Sequence, residues 1–101
     1  MFLYNITYSI DRDVEIEWLD WMKRVYLPKV MATGYFEGYK IYRLLNVKEE
    51  GITYSIQFSA KELSRIEQYL EKEAPILIEE HNQRYRYKHV AFRTLLQEIG
   101  P

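Results

Sequence analysis

The stretch FLYNITYSI, residues 2–10, alternates between two kinds of side chain. Its first, third, fifth, seventh and ninth residues are apolar, and the residues between them are mostly polar. Successive side chains of a strand point to opposite faces of its sheet, so this pattern predicts a strand with one buried face. Residues 52–59, ITYSIQFS, show the same alternation and predict a second strand of the same kind.

Two helical segments separate the predicted strands. Pro28 has no backbone N–H and is expected to kink or interrupt the first helix near Tyr26 and Leu27, and Gly34 is expected to end it. Pro75 is expected to break the second segment in the same way. The start of that segment is predicted at a capping box formed by Ser59 and Glu62. The apolar stripes at helical spacing are Val14, Trp18, Trp21, Met22 and Val25 in the first segment, and Leu63, Ile66, Tyr69 and Leu70 in the second.

Two further strands, at about residues 38–47 and 89–96, complete the order β-α-β-β-α-β. Gly51 is expected to adopt a positive φ in the hairpin connection KEEG, residues 48–51. Right-handed crossovers place both helical segments on one face of the sheet. The predicted fold class is therefore α+β, a ferredoxin-like split β-α-β-β-α-β fold with an antiparallel sheet in the order 4-1-3-2. A chain of 101 residues is expected to form a single domain over residues 1–101.

The face of the sheet that the helices leave open carries a mixture of polar and apolar side chains. Such a face is usually covered, and a second copy of the chain is the simplest cover, so we expect a homodimer through the open sheet face. The alternative is an ordinary solvated face of an antiparallel sheet. The second strand is expected to add either Tyr42 and Leu44 or Tyr39 and Arg43. The other strands are expected to add Leu3, Asn5, Thr7, Ser55, Gln57, His89, Arg93 and Leu95.

Polar residues of this face predict a cavity between the two sheets of the dimer. A guanidinium among apolar neighbours is costly unless it is paired, so Arg93 indicates a small carboxylate or carbonyl ligand. The alternative for Arg93 is an ion pair across the dimer with Glu37 or Glu98. The candidate ligand-binding residues are Asn5, Thr7, Gln57, His89 and Arg93.

Composition and motifs argue against several other functions. The net charge is -1, whereas nucleic-acid binding usually needs a basic excess, so the stretch RYRYK, residues 84–88, is interpreted as the connection from a helix to the last strand. The chain has no cysteine and only two histidines, and we expect no metal and no cofactor. Its first residues lack a basic leader and a long apolar run, which predicts a cytoplasmic protein that does not contact membranes.

Four stretches of the chain carry a resemblance to a known family: YNITYSID (4–11), WLDWMKRVYLPKVMATGYF (18–36), ITYSIQFS (52–59) and VAFRTLL (90–96). Together they resemble a family of short bacterial proteins known only as a domain of unknown function, the 4286 series. The resemblance implies a dimeric α+β barrel of ferredoxin-like subunits, the architecture of the antibiotic-biosynthesis monooxygenase type, and no established activity.

The expected function is a non-catalytic homodimer that binds a small molecule or a protein partner through the inter-sheet cavity. The alternative is a cofactor-independent oxygenase-like enzyme, in which Asn5, Gln57, Arg93 and His89 polarise a bound carbonyl group.

Overall fold

The computed structural model describes residues 1–45 and 51–100. A 3₁₀ turn at Arg12–Val14 precedes the first helix, and a π-helical turn at Met22–Tyr26 lies between the first and second helices. The strands are β1 (Phe2–Ile10), β2 (Gly38–Arg43), β3 (Ile52–Ala60) and β4 (His89–Gln97). The helices are α1 (Glu15–Trp21), α2 (Leu27–Ala32), α3 (Leu63–Lys72) and α4 (Ala74–Arg84). The predicted strand at 38–47 ends at Arg43, and the predicted turn at 48–50 lies outside the described residues.

The four strands form one antiparallel sheet in the order β2-β3-β1-β4. This is the predicted order 4-1-3-2 seen from the other edge, so the ferredoxin-like fold is confirmed. The central strands β1 and β3 pair along their whole length, from Phe2 opposite Ala60 to Ile10 opposite Ile52. Strands β2 and β4 form the two edges.

The hydrophobic core lies between one face of the sheet and the helices. The alternating apolar rows of β1 and β3 point into this core, as their period of two predicts. Burying a large apolar side chain contributes roughly 1.5–3 kcal/mol, so these two rows and the helical stripes stabilise most of the fold. The fully or almost fully buried side chains that the helical segments contribute include Trp18, Met22, Leu27, Val30, Ile66, Tyr69, Ala74 and His81.

The regular α-helix is interrupted just before Pro28, as predicted, and a π-helical turn at Met22–Tyr26 joins its two parts. The backbone N–H of Leu27 donates to the carbonyl of Met22, five residues earlier, in the π-helical turn. This wider turn inserts an extra residue just before the proline, where a regular helix would clash with its ring. The buried stripe shifts accordingly, because Tyr26 is buried and Val25, predicted in the core, is exposed.

The ends of the helices agree only in part with the sequence predictions. Gly34 has a φ of 84° just after α2, as expected for a helix stop. Pro75 lies in the first turn of α4, and α3 ends at Lys72, so the second helical segment breaks just before Pro75 as predicted. The capping box is wrong, since β3 continues through Ser59 and the residue before α3, Glu62, makes no side-chain cap bond. Leu63, predicted in the core, is exposed at the start of α3.

Gly51 does not adopt the predicted positive φ, and a close approach to β1 is what requires glycine here. A Cβ atom at this position would lie 2.8 Å from the carbonyl oxygen of Ile10 and 3.0 Å from Oγ of Ser9. We expect Gly51→Ala to destabilise the protein by about 1–3 kcal/mol, because the backbone contact cannot move without disturbing the end of the β1–β3 pair. Urea unfolding measures the change. Gly38→Ala is the matched control, since nothing lies within 4 Å of its added Cβ, and an equal loss in both variants would contradict this explanation.

Candidate functional site

The open face of the sheet is assembled from alternate residues of all four strands. Its centre is polar and is built from β1 and β3, whereas the edge strands contribute large apolar side chains. In β2 the register places Tyr42 opposite Ser55 on this face, which decides between the two predicted alternatives. The residues of the open face are Leu3, Asn5, Thr7 and Ser9 in β1, Thr53, Ser55, Gln57 and Ser59 in β3, Lys40 and Tyr42 in β2, and Val90, Phe92, Thr94 and Leu96 in β4.

Two predicted site residues, His89 and Arg93, lie on the opposite face, and this prediction is corrected. In the β1–β4 register His89 pairs with Ile10 and Arg93 with Ile6, and directly paired residues share a face. Both side chains therefore point to the helical side. Arg93 donates from Nε to the Tyr4 hydroxyl at 3.1 Å. Leu95, predicted on the open face, pairs with Tyr4 and lies on the helical side as well.

The physical reason for this error is the mixed pattern of β4. Both of its rows contain apolar and polar residues, so hydrophobicity alone does not select the buried row. The helices leave the helical side of this edge strand partly uncovered, and Arg93 is exposed there. The open face instead receives Val90 and Phe92, which are 70% and 60% exposed.

The other three predicted residues, Asn5, Thr7 and Gln57, are brought together at the centre of the open face. The Asn5 side-chain amide donates to the hydroxyls of Thr7 at 3.2 Å and Thr94 at 3.1 Å. Its carbonyl oxygen accepts a hydrogen bond from Ser55 at 2.5 Å, and Ser55 Oγ accepts one from Gln57 at 3.5 Å. Buried amides need such partners, so this network holds Asn5 in one orientation.

A cleft of about 370 Å³ lies beside this network at one end of the open face. Lys40 and Gln57 are directly opposed in the β2–β3 register and supply an ammonium group and an amide. Glu98 adds a carboxylate, and Leu3 and Tyr42 supply apolar walls. An ammonium beside an amide is suited to hold a small carboxylate or carbonyl group.

His81 occupies the centre of the core on the other side of the sheet. Trp18 Nε1 donates a hydrogen bond to His81 Nε2 at 2.9 Å. The rings of Tyr8 and His89 lie 5.0 and 4.6 Å from the imidazole. Burial, followed by the nearby His89, lowers the pKa of His81 to about 4, so the imidazole accepts the bond from Trp18 in its neutral form.

Tyrosine hydroxyls in the core are the functional candidates that the sequence analysis missed. The sequence pattern assigned Tyr4 and Tyr8 of β1, and Tyr69 of α3, only to the core. It assigned Tyr26 of the π-helical turn neither to the core nor to a site. All four are buried. Burial raises the pKa of each phenol, which therefore stays protonated at neutral pH. The signal available in the sequence was the choice of tyrosine, where phenylalanine would fill a core equally well.

The RYRYK stretch contacts the rest of the subunit through Arg84, Tyr85 and Lys88, whereas Tyr87 is 90% exposed. Lys88 Nζ lies 2.7 Å from Asp13, and Arg84 lies 3.5 Å from Glu17 and stacks over the Trp21 ring. Tyr85 is buried as the residue that ends α4. These contacts support the interpretation of RYRYK as the connection between α4 and β4. That the chain does not bind nucleic acid stays a prediction.

Within residues 1–45 and 51–100, no three histidine, aspartate or glutamate side chains are grouped as metal ligands would be.

None of the helices in the described part of the chain combines the length and the apolar character that crossing a membrane requires.

A family model described as a domain of unknown function, DUF4286, matches residues 1–99. The chain belongs to the DUF4286 family. No curated protein matches this DUF4286 chain in sequence.

Solved structures with the same fold include proteins of the antibiotic-biosynthesis monooxygenase type. One, from Deinococcus radiodurans and assigned to those monooxygenases, has a TM-score of 0.67 at 10% identity, over 100% of this chain and 95% of that one. SnoaB, a cofactor-independent oxygenase from Streptomyces nogalater, has a TM-score of 0.67 at 9% identity, over 99% and 95%. A dimeric ferredoxin-like protein from an uncultured marine organism has a TM-score of 0.61 at 18% identity, over 99% and 97%. At these identities the similarity shows the fold alone.

Proposed function

We propose that this DUF4286 protein is a homodimer whose two open sheet faces pack against each other and enclose a binding cavity. The apolar edges of that face carry the proposal. Tyr42, Val90, Phe92 and Leu96 surround a polar centre, and all four are substantially exposed in the isolated subunit. A face of this kind on a soluble subunit is usually an interaction surface, and two-fold pairing covers both copies at once.

The polar centre of the face would then line the space between the sheets. Asn5 is already saturated by its neighbours, so it serves to orient the network. Lys40 and Gln57 at the cleft are the groups that would contact a ligand. Thr7 does not line the cleft, and it accepts a hydrogen bond from Asn5 in the adjoining network. The ligand class they fit is a small carboxylate or carbonyl compound, and we propose binding without catalysis as the function.

Pyruvate, which carries both a carboxylate and a carbonyl group, is the probe for the cleft. We expect it to raise the melting temperature of the wild-type protein and Lys40→Met to weaken binding about tenfold or more, because a hydrogen bond to a charged group contributes about 1.5–3 kcal/mol. Isothermal titration measures the affinity, and Lys23→Met, an exposed lysine on the helical side, is the control. Equal binding by wild type and Lys40→Met would contradict the assignment of this cleft.

A cofactor-independent oxygenase is the second candidate function. The observation that favours it is the shared fold with SnoaB over nearly the whole length of both chains. Such chemistry needs an electron-rich substrate, so oxygen uptake in the presence of a panel of quinols tests it. Turnover of any quinol would replace the binding function with the enzymatic one, and a melting-temperature shift with pyruvate but no oxygen uptake supports binding.

A further inference from the structure

In the described part of the chain, three buried core tyrosines have hydroxyls without a hydrogen-bond partner. Tyr8, Tyr26 and Tyr69 are 2%, 4% and 2% exposed, yet none of their hydroxyls bonds to another group among residues 1–45 and 51–100. Buried polar groups in proteins are nearly always paired, so three such hydroxyls in one core are unusual. In that same part of the chain, the fully enclosed side-chain oxygen without a partner is Thr53 Oγ1, on the other face of the sheet. The three phenol oxygens therefore border open space and are not sealed in packed protein.

The tyrosines come from different elements, and ring contacts connect them within one part of the core. Tyr4 and Tyr8 flank Ile6 along the strand, and Arg93 stands directly opposite Ile6 on β4. Tyr69 of α3 packs on Tyr4, with ring centroids 5.9 Å apart. Tyr26 packs on His81 at 5.6 Å, and His81 in turn lies 5.0 Å from Tyr8. Burial raises the pKa of all four phenols, and this is the larger effect. The positive charge of Arg93 acts on each of them in the opposite direction and lowers the pKa.

This arrangement has a definite chemical preference. The three hydroxyls without partners and the guanidinium of Arg93 are all hydrogen-bond donors. Among the described residues, only the Tyr4 hydroxyl bonds to this positively charged group. The walls are aromatic rings, which favour a flat apolar body. An anion with two acceptor oxygens on a ring satisfies both requirements. Access is from the β4 edge, where Arg93 and Leu95 are exposed.

We propose that the space bounded by Tyr4, Tyr8, Tyr26, Tyr69 and Arg93 is a binding pocket for a small aromatic carboxylate. The pocket lies between sheet and helices within one subunit, so it is separate from the inter-sheet cleft and does not depend on the dimer. Arg93 thus keeps the anion-binding role predicted from the sequence, but with phenol hydroxyls as its neighbours instead of Asn5, Thr7 and Gln57.

The test uses benzoate as the probe and tyrosine labelled with ¹³C at Cζ as the readout. We expect benzoate to shift the Cζ signals of Tyr8, Tyr26 and Tyr69, with benzyl alcohol, the uncharged analogue, binding at least tenfold more weakly. Arg93→Met should weaken benzoate binding about tenfold or more, the effect of one hydrogen bond to a charged group. Tyr26→Phe and Tyr69→Phe should each weaken it severalfold without lowering the melting temperature, because their hydroxyls have no protein partner to lose.

Tyr87→Phe is the matched control, because Tyr87 is 90% exposed in the connection to β4, and it should bind benzoate as the wild type does. Absence of Cζ shifts at saturating benzoate would overturn the proposal, as would benzoate binding that Arg93→Met leaves unchanged. A lower melting temperature in both Tyr→Phe variants would also overturn it, since the hydroxyls would then be structural. Lys40→Met separates this pocket from the cleft: it should weaken pyruvate binding about tenfold or more and leave benzoate binding intact.

Discussion

Phe92→Asp is expected to convert the proposed homodimer of this DUF4286 protein into monomers. Phe92 is 60% exposed in the isolated subunit and stands on the open face of β4 beside Val90 and Leu96. Under the proposed packing its ring is covered by the partner sheet, and a carboxylate there is desolvated without a paired charge. Truncating a central aromatic anchor costs about 2–4 kcal/mol, and two-fold symmetry applies the change twice. The dimer dissociation constant should therefore rise by about a thousandfold or more.

Analytical ultracentrifugation over a range of concentrations measures this change directly. Ile76→Asp is the matched control, because Ile76 is 75% exposed but lies on α4, on the far side of the sheet. It should leave the dimer intact. A wild-type protein that sediments as a monomer at high concentration, or a Phe92→Asp variant that still dimerises, would contradict the proposed assembly and the enclosed cavity with it.

Acid should destabilise the protein through His81 before the carboxylates are protonated. The pKa of His81 in the folded state is about 4, against an ordinary value of 6.5. Above pH 6.5 the imidazole is neutral in both states and stability does not depend on it. As the pH falls from 6.5 towards 4, the unfolded chain takes up a proton that the folded protein excludes, so the free energy of unfolding decreases. The total loss from this residue is about 3 kcal/mol.

Urea unfolding between pH 7 and pH 4 measures the slope. His81→Gln should flatten the curve in this window, although it should also lower stability at pH 7, because Trp18 loses its acceptor or keeps a poorer one. Histidine NMR provides the independent check: the ring of His81 should remain neutral in the folded protein down to about pH 4. Titration of His81 near its ordinary pKa in the folded state would refute the explanation.

The candidate site was predictable only where its strands have unambiguous patterns. Asn5, Thr7 and Gln57 lie in β1 and β3, whose strict alternation assigns every side chain to a face, and the structure places them together. His89 and Arg93 lie in β4, where neither row is clearly apolar, and the prediction chose the wrong row. When the alternation of a strand is assigned one residue out of register, all of its side chains are placed on the wrong face of the sheet.

Helix boundaries show the same division between local pattern and tertiary packing. Pro28, Gly34 and Pro75 predicted where the helices are interrupted or end, because the backbone restrictions of proline and the freedom of glycine act within a few residues. The way in which Pro28 is absorbed was not predictable. A π-helical turn moves Tyr26 into the core in place of Val25, and packing against the sheet selects that solution.

By itself, the sequence of this DUF4286 protein determined the order of its elements, the antiparallel sheet and the two central apolar rows, because these follow from periodicity and from backbone chemistry that acts locally. Only the tertiary structure decided which face β4 presents and which core tyrosines lack partners. Both depend on register and on contacts between residues far apart in the chain. The guanidinium of Arg93 meets the hydroxyl of Tyr4 only after β1 and β4 have paired.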